Sequence, residues 1–192
     1  MSGYSVIPAD FLNKLKQLIG CKLISVKRYS WWAPEEAVEH GVSKKEIFTL
    51  TAGPASIEFD SGAILGFFSD PSLCSVMVWM ERDEHGRYLR NETLEADEDL
   101  FEIAVGDQEY SDGFWRRIVG STLVSVSILR RIYTGVRISE RPCQVGIAFG
   151  LEGGEVFLMA HGLHDNSDDF ALLEWSQVLS DIRRDLVEES VG

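Results

Sequence analysis

One segment of this chain is written twice. Leu18-Ile19-Gly20-Cys21-Lys22-Leu23-Ile24-Ser25-Val26 recurs 100 positions later as Ile118-Val119-Gly120-Ser121-Thr122-Leu123-Val124-Ser125-Val126. Both copies read apolar-apolar-Gly-x-x-Leu-apolar-Ser-Val. A repeat of long period predicts two related units that bury their apolar faces against each other. The expected fold is therefore α+β: a tandem duplication of a helix plus an antiparallel sheet, closed by a C-terminal helix.

In the first copy, Phe11, Leu15, Leu18 and Ile19 fall on one helical face after Pro8-Ala9-Asp10. Gly20 suits the position just past a helix end. Leu23 to Trp32 is β-branched and aromatic, hence a strand. An excursion follows over 34–45, with one or two helical turns. Strands are then expected at Glu46–Thr51, at Ile57–Phe59 and Ile64–Phe68 as a hairpin around Asp60-Ser61-Gly62, and at Ser75–Met80. The second copy repeats the order: a helix through Phe114, Trp115 and Ile118, a strand from Leu123 to Tyr133, a hairpin around Gly153-Gly154, and a strand at Phe170–Trp175. Val178, Leu179, Ile182 and Leu186 predict a final helix over Ser176–Val187. Matching Phe59 to Phe149 and Trp79 to Trp175 places about ten additional residues near 34–45 in the first copy. It places a second insertion at 161–169 in the other copy. Insertions that break a repeat fall on loops, where binding residues concentrate. The division read from this pattern is a first lobe (1–90), an acidic connector (91–112) and a second lobe with the C-terminal helix (113–192), with one continuous domain as the alternative.

The chain has 192 residues and a net charge of −13. No apolar run reaches the roughly 18 residues of a membrane helix, and residues 1–20 lack the apolar core of a secretory signal. Three cysteines, Cys21, Cys74 and Cys143, are far apart in sequence and odd in number, which favours free thiols in a reducing, cytoplasmic setting. The charge is uneven: Glu81 to Asp112 holds twelve acidic residues against three arginines, a local balance of −9. Such a surface repels nucleic acid and anionic membranes and attracts a basic protein. The candidate contact residues are Glu95, Asp97, Glu98, Asp99, Glu102, Asp107 and Glu109, joined by Trp31 and Trp32, since tryptophan is enriched at binding hot spots.

Catalytic signatures are sparse. There is no G-x-S-x-G elbow, no phosphate-binding glycine loop and no paired-cysteine metal knuckle. His161-Gly-Leu-His164-Asp165, with Asp168 and Asp169 behind it, is the best metal candidate, and a metal-dependent hydrolase using His161, His164 and Asp165 is the alternative function. A scaffold protein without inhibitory role is another. The favoured expectation is a non-enzyme with no cofactor and no bound metal.

The pattern Gly20-x-x-Leu23-x-x-Val26, Ile57-x-Phe59-x-x-Gly62 and Ser75-Val76-x-Val78-Trp79, echoed by Gly120-x-x-Leu123-x-x-Val126 and Ile147-x-Phe149, resembles the immunity proteins of bacterial polymorphic-toxin systems. Those are small, acidic, cytosolic α+β proteins that neutralise a toxin domain by binding it. The resemblance implies a toxin-neutralising immunity protein with a basic partner, and it carries over no individual functional residue.

Overall fold

The computed structural model describes residues 4–133, 138 and 140–191. It is an α+β protein made of two five-stranded antiparallel sheets. The first sheet comprises β1 (Leu23–Ser30), β2 (Ala55–Phe59), β3 (Ile64–Asp70), β4 (Ser75–Arg82) and β5 (Phe101–Ala104), in the order β4-β3-β2-β1-β5. The second comprises β6 (Leu123–Arg131), β7 (Gln144–Leu151), β8 (Val156–His161), β9 (Phe170–Glu174) and β10 (Leu186–Ser190), in the order β10-β6-β7-β8-β9. Strand for strand, the two orders are the same. Each sheet is preceded by a short helix ending at a glycine with positive φ. α1 (Leu12–Gln17) leads to Gly20 at φ +95°, and a helix over Gly113–Ile118 leads to Gly120 at φ +88°. The latter helix is capped by Asp112, whose carboxylate accepts from the Phe114 and Trp115 amides.

The repeated segments meet. Gly20 donates its amide to the Leu123 carbonyl and Gly120 to the Leu23 carbonyl, at 2.8 and 2.7 Å; Leu23 and Leu123 donate in turn to Ser121 and Cys21. A single bridge pairs Lys22 with Thr122. The two sheets are thus joined through their matching corners by a reciprocal set of bonds, the pattern of a local two-fold axis. From there they pack face to face. The alternation of β2 and β3 sends Ile57, Phe59, Leu65 and Phe67 inward, where they meet Phe149, Phe157, Met159 and Leu172 of the second sheet in one shared core. Phe67 meets Phe149 edge-on at 6.0 Å. The second sheet is buried on its other face as well, because Leu158, Ala160, Ala171 and Leu173 lie under Val178 and Ile182.

Register corrects the alignment of the copies. Val26 pairs with Ile57 and Val126 with Phe149, each just after a bulge that follows Leu23 or Leu123. Ile57, not Phe59, therefore matches Phe149, and the first insertion is eight residues rather than ten. On the same register Gly66 and Leu158 face Trp79 and Leu173, so Trp79 matches Leu173 and Trp175 lies beyond the strand. Side chains on a strand repeat every two positions, so a two-residue slip keeps the hydrophobic pattern and escapes a sequence comparison.

Three element assignments also change. Glu46–Thr51 is not a strand: a 3₁₀ turn over Lys44–Glu46 runs into α3 (Ile47–Leu50), preceded by α2 (Pro34–Glu39). Ile47 and Phe48 are consecutive and both fully buried, which a strand with one solvent face does not allow. Numbering in chain order, the Gly113–Ile118 helix is α4. The expected C-terminal helix shrinks to α5 (Ser180–Arg183), and Leu186–Ser190 forms β10 on the free edge of β6. The acidic connector is not separate from the first lobe, since its residues 101–104 form β5 and pair with β1. In both cases an open sheet edge supplied hydrogen-bonding partners that local periodicity does not encode.

Candidate functional site

The candidate acidic residues divide by what they touch. Glu95 and Glu102 both reach Lys27 on the outer face of β1, at 2.7 and 3.1 Å. Burial lowers the Lys27 pKa, but the two carboxylate hydrogen bonds outweigh it and the net shift is upward. Glu109 pairs with Lys44 at 2.8 Å, and Asp107 accepts from the Glu109 and Tyr110 amides. Asp97 accepts from the Asp99 amide, while Glu98 and Asp99 have no side-chain hydrogen bond or ion pair among the described residues. Asp97, Glu98 and Asp99 are exposed. Of the seven acidic candidates Glu95 alone ties the strap of residues 83–100 to the first sheet, Glu102 pairs within that sheet, Glu109 pairs with Lys44, and the Asp97–Asp99 turn presents its charge to solvent.

Trp31 and Trp32 follow β1 immediately and are 50% and 42% exposed. Trp31 sits edge-on to Phe68 at 5.3 Å, and Trp32 lies tilted on His40 at 4.8 Å. They line a groove of about 480 Å³ at the seam between the sheets. One wall comes from Trp31 and Trp32 after β1, Val42 of the first insertion and Leu50 of α3, the other from Asp168 and Asp169 of the second insertion and Phe170 at the start of β9, with Phe68, Ser69 and Pro71 between. The topology that places β9 beside α3 brings together two insertions that are distant in sequence. A second hollow, of about 420 Å³, shares Trp31, Phe68, Ser69 and Pro71 with the first and extends to Trp79, Arg90 and Asp97. The Trp31–Trp32 pair and the free acidic turn therefore belong to one continuous surface.

Behind the groove lies a residue that sequence reading missed. Arg28 is fully buried on the inward face of β1, donating to the main-chain carbonyls of Thr51 and Phe170 and lying 5.0 Å from the Phe170 ring centre. Its Nε and Nη1 have no partner among the described residues. Burial draws its pKa down to about 9, with Asp169 pulling the other way. The signal was available: Arg28 shares strand parity with the core residue Val26. The equivalent position of the second half holds a hydrophobe, Ile128, so the two halves differ here in charge. Gly53 is also required, because a Cβ there would overlap the Tyr29 carbonyl that the loop crosses.

The histidine candidate is placed differently from expectation. His161 ends β8 with only 2% exposure, its Nε2 3.8 Å from Asp168 and its Nδ1 unpartnered among the described residues. Burial lowers its pKa, and Asp168, Asp169 and Asp70 oppose that. His164 and Asp165 lie beyond the turn and border a hollow with Gly162 and Leu163 that shares Leu50, Asp169 and Phe170 with the groove. Among the described residues no three His, Cys, Asp or Glu side chains converge as a metal-holding group.

No protein family, curated protein or solved structure matches this chain. The surface combines two half-exposed indoles, an apolar floor, carboxylates on one rim and a free acidic turn on the other. Among the described residues no helix is long and apolar enough to cross a membrane.

Proposed function

We propose that this chain is a non-catalytic binding protein that neutralises a basic toxin domain by direct contact, as an immunity protein does. The observation that carries the reading is the continuity of Trp31, Phe68 and Pro71 with both the Asp168-Asp169 rim and the Asp97 turn. Aromatic anchors supply contact area, and surrounding carboxylates select a cationic partner and speed its approach. The open edge strand β5 adds exposed Phe101 next to this turn. The carboxylates of Glu95, Glu102 and Glu109 are paired with Lys27 and Lys44, which offsets part of the charge they offer to a cationic partner.

The test is co-expression in a bacterial host with the product of the adjacent reading frame. Neutralisation predicts that the neighbour arrests growth alone and does not arrest it with this chain present. Replacing Asp97, Glu98 and Asp99 together by Lys slows association of the purified pair and removes most of its salt dependence. A harmless neighbour, or a pair whose association ignores both salt and this substitution, overturns the reading.

A further inference from the structure

We infer that the seam groove receives an arginine side chain presented by the partner. This deepens the binding reading and rests on it, but its test uses a short peptide in place of the partner. Three observations converge. The groove is walled by the exposed faces of Trp31 and Trp32 with Phe68 and Phe170 deeper in, and at about 480 Å³ it lies within the range of small-ligand sites, roughly 300–1,000 Å³. Its opposite rim carries adjacent carboxylates, Asp168 and Asp169, and the Asp168 side chain is 79% exposed. Among the described residues the cations nearby are committed or withdrawn, Arg90 of the adjoining hollow lying over the Trp79 ring. Arg28 is wholly buried against Thr51 and Phe170, Lys44 is held by Glu109 and Lys45 by the Gln108 carbonyl, and Arg141 donates to the Pro71 carbonyl from outside.

A guanidinium fits these features together. Its planar face stacks on indole rings, and its fork of N–H donors matches a carboxylate. A lysine ammonium would satisfy the charge but not the planar wall. The unpartnered Nδ1 of buried His161, whose other nitrogen faces Asp168, places a polar group behind the same rim. A neutral His161 leaves the Asp168 charge available for an incoming cation.

The experiment is a titration of the full-length protein with acetyl-Gly-Arg-Gly-amide, read from the indole N–H signals in ¹H–¹⁵N spectra, with Trp31 and Trp32 assigned through Trp31→Phe and Trp32→Phe. The expected result is saturable movement of the Trp31 and Trp32 signals, while the buried Trp115 signal stays still. The citrulline peptide, isosteric but uncharged, should not saturate. Asp168→Asn with Asp169→Asn should weaken binding by roughly tenfold, as expected for removing two solvent-exposed charge contacts. Asp169 is tied to the loop through its main-chain N–H and carbonyl, and neither aspartate side chain makes a hydrogen bond among the described residues, so this variant keeps the loop, and an unchanged Trp115 signal verifies it. No saturation, equal binding of the citrulline peptide, or an unaltered affinity in the double variant overturns the proposal. None of these outcomes touches the neutralisation test.

Discussion

Gly20 donates to the Leu123 carbonyl at 2.8 Å, and Gly120 returns the bond to the Leu23 carbonyl at 2.7 Å. Both glycines hold nearly the same left-handed φ, and an added Cβ at either would meet nothing within 4 Å. Space is thus not the constraint; the backbone conformation is. Gly20→Ala and Gly120→Ala should each cost about 1–2 kcal/mol, the strain of a left-handed L-residue. The two costs should agree to within about 0.5 kcal/mol because the environments are reciprocal. Urea unfolding midpoints check this, and a several-fold disparity would show that the two corners are not equivalent.

Arg28 occupies the far end of the seam, where β1 meets the Phe170 carbonyl. Arg28→Ala should cost about 3 kcal/mol or more, since it empties a packed site and strands the Thr51 and Phe170 carbonyls. Arg28→Met should stay within about 1 kcal/mol of the parent. It fills the volume and also removes a desolvated charge with two idle donors, which offsets the stranded carbonyls. Equal losses in both variants would show that the guanidinium hydrogen bonds, not packing, hold this end.

His161 couples the fold to acid. Its folded pKa lies below its ordinary value, so the unfolded chain binds the proton more readily. The contribution of neutral His161 is therefore fully present above the unfolded pKa near 6.5 and is lost as pH falls toward the folded one. Unfolding free energy should drop between pH 7.5 and 5.5, and His161→Gln should reduce that drop. Because Asp168 supports the protonated form, Asp168→Asn should enlarge it. An identical pH profile in all three proteins would assign acid sensitivity to other groups.

The cysteines should differ in reactivity. Burial pushes the Cys143 thiol up to about 11, with the neighbouring Cys74 adding to it, whereas Cys21 is partly exposed at the end of the first helix. Iodoacetamide at pH 8 should add one group to the folded protein, at Cys21, and three in urea, because the thiolate is the reactive species. Mass spectrometry of the peptides decides this, and early modification of Cys143 would contradict its burial.

Local pattern was enough for much of the framework. The repeat, the helices ending at Gly20 and Gly120, the strands opening at Leu23 and Leu123, and the hairpins at Gly62 and Gly153-Gly154 all follow from glycine conformation and from side-chain alternation, properties of a few neighbouring residues. Trp31, Trp32 and the 161–169 loop were legible as sites where the repeat breaks. What the sequence could not decide depends on partners far along the chain. Leu186–Ser190 becomes a strand because β6 has a free edge, and Ile47–Leu50 a helix because both Ile47 and Phe48 must reach the core. Glu95 and Glu102 are spent on Lys27 while Asp97–Asp99 stay free, because the strap folds back over β1. The groove itself exists only when the seam sets residues 31–32 beside 168–170, and burial of Arg28 is decided by the same packing. Hydrogen-bonding edges, desolvation and charge pairing are pairwise properties of the folded chain, whereas periodicity and turn chemistry belong to each segment alone.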